Sequence, residues 1–80
     1  MDNLELYNRA FKKIFGVSDE QLPGLTYQSI PAWDSIGHMD LITELEHAFD
    51  IMMDTDDIID LSSYEKGKEV LSKVDYGIAF

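Results

Sequence analysis

A chain of 80 residues, 45% hydrophobic and with a formal charge of -10, has material for one small domain but too little for a deep, self-contained catalytic cleft. That charge sets it against nucleic acid and anionic membrane surfaces, which would be repelled along most of its surface, and favours a basic protein partner. It holds no cysteine, hence no disulfide framework and no thiol-based metal or redox site, no apolar run approaches a membrane span, and residues 1–10 do not read as a basic-then-apolar leader, so a cytoplasmic chain without membrane insertion is expected.

Leu4, Tyr7, Ala10, Phe11, Ile14 and Phe15 recur at three- and four-residue steps, which predicts a first amphipathic helix. Asp2 is its expected cap, with Glu5 three residues on. Lys12 and Lys13 suit the negative end of its dipole, and Gly16 ends it. Over 17–33 the pattern breaks up, with Pro23-Gly24 and Ile30-Pro31 as turn or extended signals. This predicts a long loop that Leu22, Leu25, Tyr27, Ile30 and Trp33 can pin to a core. Long ordered loops in small domains are uncommon and often functional.

A second helix is predicted over 35–50, with Leu41, Ile42, Leu45, Ala48 and Phe49 on its buried side. On a helical wheel Asp40, Glu44 and His47 lie away from that side while Ile36 and Thr43 fall near its boundary, so an acidic exposed face with an apolar edge is expected. Residues 54–60 read as a short acidic helix or turn whose first residues cap its own start. Ser62 and Glu65 have capping-box spacing and open a last helix with Tyr64, Val70, Leu71 and Val74 on its buried side. There is neither a strand signal nor an internal repeat. The predicted fold class is all-α: a four-helix bundle with a short third helix and a long loop between helices one and two, a single domain over 1–80 in which 75–80 form a C-terminal tail. That tail is apolar for a free end, and it reads equally as a segment folded back on the core or as a contact surface.

The six cations are Arg9, Lys12, Lys13, Lys66, Lys68 and Lys73, so 14–65 carry no Lys or Arg but most of the acids. Asp34 and Ser35 sit inside that single-sign interval, at the start of the second helix. Taken alone they read as a cap and a first helical residue. They can also form an attachment point, because the hydroxyl stands at the positive end of the helix dipole, which favours a phosphate there.

The order of helix, long loop, Asp34-Ser35-Ile36 opening an acidic helix, short helix and closing helix resembles the acyl carrier protein family, over nearly the whole chain from Leu4 to about Val74. The resemblance implies that Ser35 receives a covalent 4'-phosphopantetheine from a phosphopantetheinyl transferase. It implies a non-catalytic carrier that holds acyl intermediates as thioesters and presents them to acyl ligases, transferases or synthases with basic docking patches. Asp34, Asp40 and Glu46 match family positions that meet such patches. Ile36 matches an apolar position that packs into the partner, and Glu44 extends the acidic face by its place on the helix. Asp40 and Glu44, like charges four apart, slightly destabilise a helix, a cost easier to understand if the face steers a cationic partner. Met39, Ile42, Met52, Ile58 and Ile59 would border the space where the family shelters an acyl chain, although such residues equally read as core. A monomer is expected.

Two other chemistries fail on their residues. His38, three after Ser35, leans toward the buried side of the wheel, and no Gly-x-Ser-x-Gly elbow or second orienting acid accompanies it, so it reads as a packed or hydrogen-bonded structural residue and not as the base of a serine hydrolase. Asp54, Asp56, Asp57 and Glu65 superficially suggest a calcium loop, but Ile58 and Ile59 occupy places that need an oxygen ligand and a turn glycine; no metal site is predicted. Gly37 departs from the family pattern and is expected to loosen the first turn. His47 stands where an acid is frequent. These departures point to a specialised acyl-transfer, lipid or polyketide-type pathway. The alternatives are an amino-acyl or peptidyl carrier and an unmodified acidic interaction module.

Overall fold

Asp2 accepts the Glu5 amide through its side chain and Gly16 turns left-handed at φ 68°, closing on the Lys12 carbonyl, so that in the computed structural model, which describes residues 1–80, the first helix, α1, runs Asn3–Phe15. Tyr7, Ala10, Phe11 and Phe15 are its buried stripe. Leu4, expected in that stripe, is 39% exposed, because it lies at the first turn, beyond the edge of the core.

The loop is more regular than its sequence suggests. A 3-10 turn spans Asp19–Gly24. The Ser18 amide donates to Gln21 Oε1 at 2.9 Å and starts it, and Leu22 and Leu25 fasten it to the core. The chain then runs beside the start of the last helix: the Tyr27 amide donates to Ser62 O (2.8 Å) and the Tyr64 amide to Leu25 O (2.9 Å). This is one antiparallel bridge and no strand.

Helix α2 is Ser35–Phe49, α3 is Thr55–Asp60 and α4 is Tyr64–Leu71. Leu41, Ile42 and Leu45 of α2 are buried, while Ala48 and Phe49 are only half-buried. In α3 the expected self-capping is absent, since Asp54 makes no side-chain cap bond. The cap of α4 is Ser63, which accepts the Lys66 amide at 2.9 Å. The Ser62–Glu65 box is displaced by one residue because the Ser62 carbonyl is taken by the bridge to Tyr27. The predicted buried residue Val74 is 98% exposed. Since α4 stops at Leu71, the chain turns through Gly77 (φ 64°), and Ile78 enters the core instead.

All regular structure is helical, and no helix is long and apolar enough to cross a membrane. Trp33, Tyr7, Phe11, Leu45, Leu61 and Leu71 are among the fully buried side chains. The Tyr7 hydroxyl donates to Tyr64 O at 2.7 Å, and burial pushes its pKa well above the usual phenol range. Gly67 makes room for it, because a Cβ there would collide with that hydroxyl.

The tail folds back, which settles a question the sequence left open. Ile78 is buried, its amide donates to Leu71 O, Asn3 Nδ2 donates to Ala79 O at 3.0 Å, and the Phe80 ring lies 5.2 Å from Tyr7.

Candidate functional site

The segment around Ser35 alternates between anchored and free residues. Trp33 has no exposed surface and stacks on Phe15 with ring centroids 5.0 Å apart. Asp34 Oδ1 accepts the Gly37 amide at 2.8 Å and its backbone carbonyl accepts the His38 amide at 2.8 Å, so the expected cap is present and two first-turn donors are satisfied. Gly37 is buried, and a Cβ there would overlap the Ala32 carbonyl oxygen and lie 3.3 Å from Phe15 Cε1. The expectation that glycine loosens this turn is therefore corrected. Gly37 is the place where the loop backbone presses against α2, and only a residue without a side chain permits it.

Between Trp33 and Gly37, Ser35 and Ile36 face outward; Ile36 is 73% exposed. The hydroxyls of Ser18, Ser29, Ser63 and Ser72 are held in local hydrogen bonds. Those of Ser35 and Ser62 are bonded to nothing in the chain, and of the two only Ser35 opens a helix.

The structure divides the five candidate partner-facing residues into two groups. Asp34, Ile36 and Asp40 are exposed around Ser35. Glu44 is paired with Lys13 of α1 at 3.1 Å, and Glu46 Oε2 accepts the Met53 amide at 3.0 Å, closing the turn after α2. Both are half-buried and used by the fold. The predicted like-charge cost of Asp40 beside Glu44 is thus relieved from α1. Ile36, placed at the boundary of the wheel, is fully outward, and Met39 is 50% exposed one turn further on. The free surface next to Ser35 is consequently apolar, with Asp34 and Asp40 at its margins, where an acidic face with only an apolar edge was expected.

The five residues read as an acyl-chain lining do not surround one space. Ile42 is in the core at 1% exposure, Ile58 is half-buried, and Met39, Met52 (88% exposed) and Ile59 (70% exposed) are at the surface. A cavity of about 250 Å3 does open beside His38, lined by Tyr27, Ile59, Leu61 and Ser62, and of the five only Ile59 borders it. A larger groove, about 530 Å3, lies between α1 and the C-terminal half of α2, away from Ser35.

His38 has both ring nitrogens engaged. Nδ1 accepts the Trp33 indole N–H at 2.9 Å, and Nε2 lies 2.7 Å from the Ile58 carbonyl oxygen. Neither is left for the Ser35 hydroxyl, and the structural reading of this residue holds. His47 is exposed.

Sequence reasoning missed the role of Asp57. It is the one buried acid: Lys73 Nζ lies 2.5 Å from Oδ1 and the Tyr76 hydroxyl donates to Oδ2 at 2.6 Å. The bond from Lys73, then that from Tyr76, hold its carboxyl below the usual carboxylate range, and the same contact holds the Lys73 ammonium above the usual lysine range. The Tyr76 hydroxyl also accepts the Asp54 amide at 2.9 Å. Helix α3, whose only buried residue is Asp57, is thereby tied by polar bonds to the tail and to His38, with Ile58 packed against the core. An apolar tail was the sole sequence signal for this, and it named no partner. Comparison with family models, curated proteins and solved structures finds no match for the chain.

Proposed function

We propose that this protein is an acyl carrier with the four-helix carrier fold, in which Ser35 bears a covalent 4'-phosphopantetheine and the surface around it docks partner enzymes. The observation that carries the reading is the state of Ser35: exposed, free of competing hydrogen bonds, and fixed outward between the buried Trp33 and Gly37. Those are the requirements for an oxygen that an enzyme must reach and join to a phosphate.

The residues present fit such a group. The Asp34 carboxylate is engaged by the Gly37 amide and not turned on the serine oxygen, and the earliest amides of α2 have no intrahelical acceptor, so a negative charge is favoured at this end. When attached, the arm supplies a thiol that holds an acyl group as a thioester. The chain's own work is positioning. Trp33 and Gly37 set the direction of Ser35, Ile36 and Met39 offer an apolar contact, and Asp34 and Asp40 supply marginal charge that steers a basic partner. The clustering of the free apolar surface at the serine favours this reading over an unmodified acidic module.

The test is co-expression with a broad-specificity phosphopantetheinyl transferase followed by intact mass. Wild type should gain one phosphopantetheine and Ser35→Ala none. An unmodified wild type, beside a control carrier modified in the same cells, would refute the carrier reading.

A further inference from the structure

Three segments meet at His38, one turn after Ser35. Trp33 arrives from the loop, Ile58 belongs to α3, and His38 itself is on α2. The Trp33 and His38 rings are nearly parallel, at 14° with centroids 6.2 Å apart, and the Tyr27 ring closes on His38 at 5.6 Å.

An indole nitrogen only donates and a backbone carbonyl only accepts, so these two partners dictate where the imidazole proton sits. Nδ1 must be bare to receive the Trp33 N–H, and Nε2 must carry the hydrogen that goes to Ile58 O. The ring is therefore neutral in this arrangement. A second proton could go only to Nδ1, where it would face the indole N–H. The bond to Ile58 would survive that change, since Nε2 keeps its hydrogen. The bond to Trp33 would not, leaving the donor of a wholly buried side chain unpaired two residues before Ser35.

We propose that His38 is the positioning residue of the Ser35 turn: its neutral imidazole clasps Trp33 and holds the segment leading into Ser35 against α2, and proton uptake at Nδ1 opens the clasp on the loop side while α3 stays held. The surroundings offer the second proton no compensation. From the loop the ring meets the Trp33 indole and the Tyr27 phenol. From α3 it meets the Ile58 carbonyl, while Asp57 of that helix is turned to Lys73 and Tyr76. At the start of its own helix the cap Asp34 spends Oδ1 on the Gly37 amide. The consequence for a group carried on Ser35 rests on the carrier reading, whereas the clasp itself does not.

The experiment uses the unmodified protein, so its outcome is independent of whether Ser35 accepts a prosthetic group. A His47→Gln background leaves His38 as the sole histidine. The ring nitrogens and the Trp33 indole N–H are followed by NMR from about pH 8 to about pH 5, the range in which imidazoles change charge. The expected result is an Nε2–H tautomer at the upper end and an indole N–H whose protection, measured against the intrinsic exchange rate at each pH, falls roughly tenfold or more in step with ring protonation. In the same background, His38→Gln can accept from Trp33 and donate to Ile58 without titrating, and should flatten the profile. An Nδ1–H tautomer, a ring still neutral at the acid end, an indole N–H whose exchange ignores ring protonation, or an equal acid response in His38→Gln would each overturn the proposal. Should His38→Gln fail to fold, the titration of the native ring decides alone.

Discussion

Replacing Gly37 with alanine pits local helix preference against tertiary contact. In an unobstructed helix interior, alanine is favoured over glycine by about 1 kcal/mol. Here the added Cβ would overlap the Ala32 carbonyl oxygen and also stand 3.2 Å from the Ala32 carbonyl carbon and 3.3 Å from Phe15 Cε1. The obstructing group is backbone, so no rotamer change relieves it; the loop must move away from α2 and carry the stacked Trp33 with it. Overpacking costs about 1–3 kcal/mol, and an overlap with unyielding backbone lies in the upper part of that range, about 2–3 kcal/mol, so contact outweighs propensity. The expected net loss is about 1–2 kcal/mol, equivalent to a fall in Tm of roughly 4–16 °C in a domain of this size. Gly24→Ala is the control, because a Cβ there meets nothing within 4 Å, and it should change stability by no more than about 0.5 kcal/mol. Urea and thermal unfolding of the two variants beside wild type measure the difference. A Gly37→Ala protein as stable as wild type, or more so, would refute the account of this turn.

Two further outcomes are expected. Ile36→Ala should leave stability within about 0.5 kcal/mol of wild type, because the side chain is 73% exposed. If Ser35 is modified as proposed, it should slow that transferase reaction by roughly tenfold, as loss of a docking anchor worth about 1.4 kcal/mol would; an unchanged rate would remove Ile36 from the proposed docking surface. Asp57→Asn tests the attachment of α3 to the tail through its pH dependence. Lys73 first, then Tyr76, hold the Asp57 carboxyl below its ordinary value, so its stabilising contribution is fully present above the unfolded value of about 3.9 and disappears as pH falls through the lowered folded value. The variant should therefore melt below wild type at neutral pH, and the gap should close below about pH 4. A gap that stays constant into acid would show that Asp57 acts through something other than its charge.

The parts legible from sequence are those governed by neighbours along the chain. The Asp2 cap, the Gly16 stop and the Asp34 cap follow from side chains reaching amides three residues away or from one residue's backbone freedom, and each appears where expected. The buried stripe of α1 follows from its period, except at Leu4, which is exposed, and Ile14, which is half-buried. The illegible parts join distant residues. Lys13 and Glu44 are 31 positions apart, so nothing local marked Glu44 as spoken for. Gly37 looked like a weak helix former because its reason for being glycine, the Ala32 carbonyl, lies across a turn in space. Val74 and Ile78 exchanged roles because the end of α4 depends on how the tail turns back.

By itself the sequence determined an acidic, all-helical chain with a serine at the start of its second helix, because period, capping and charge are local or additive properties. Tertiary structure alone decided which acids remain free, which way Ser35 points, how the tail lies, and that one imidazole joins the loop, α2 and α3. Those depend on which groups meet across the core, where a single hydrogen bond or absent Cβ outweighs any preference encoded in neighbouring residues.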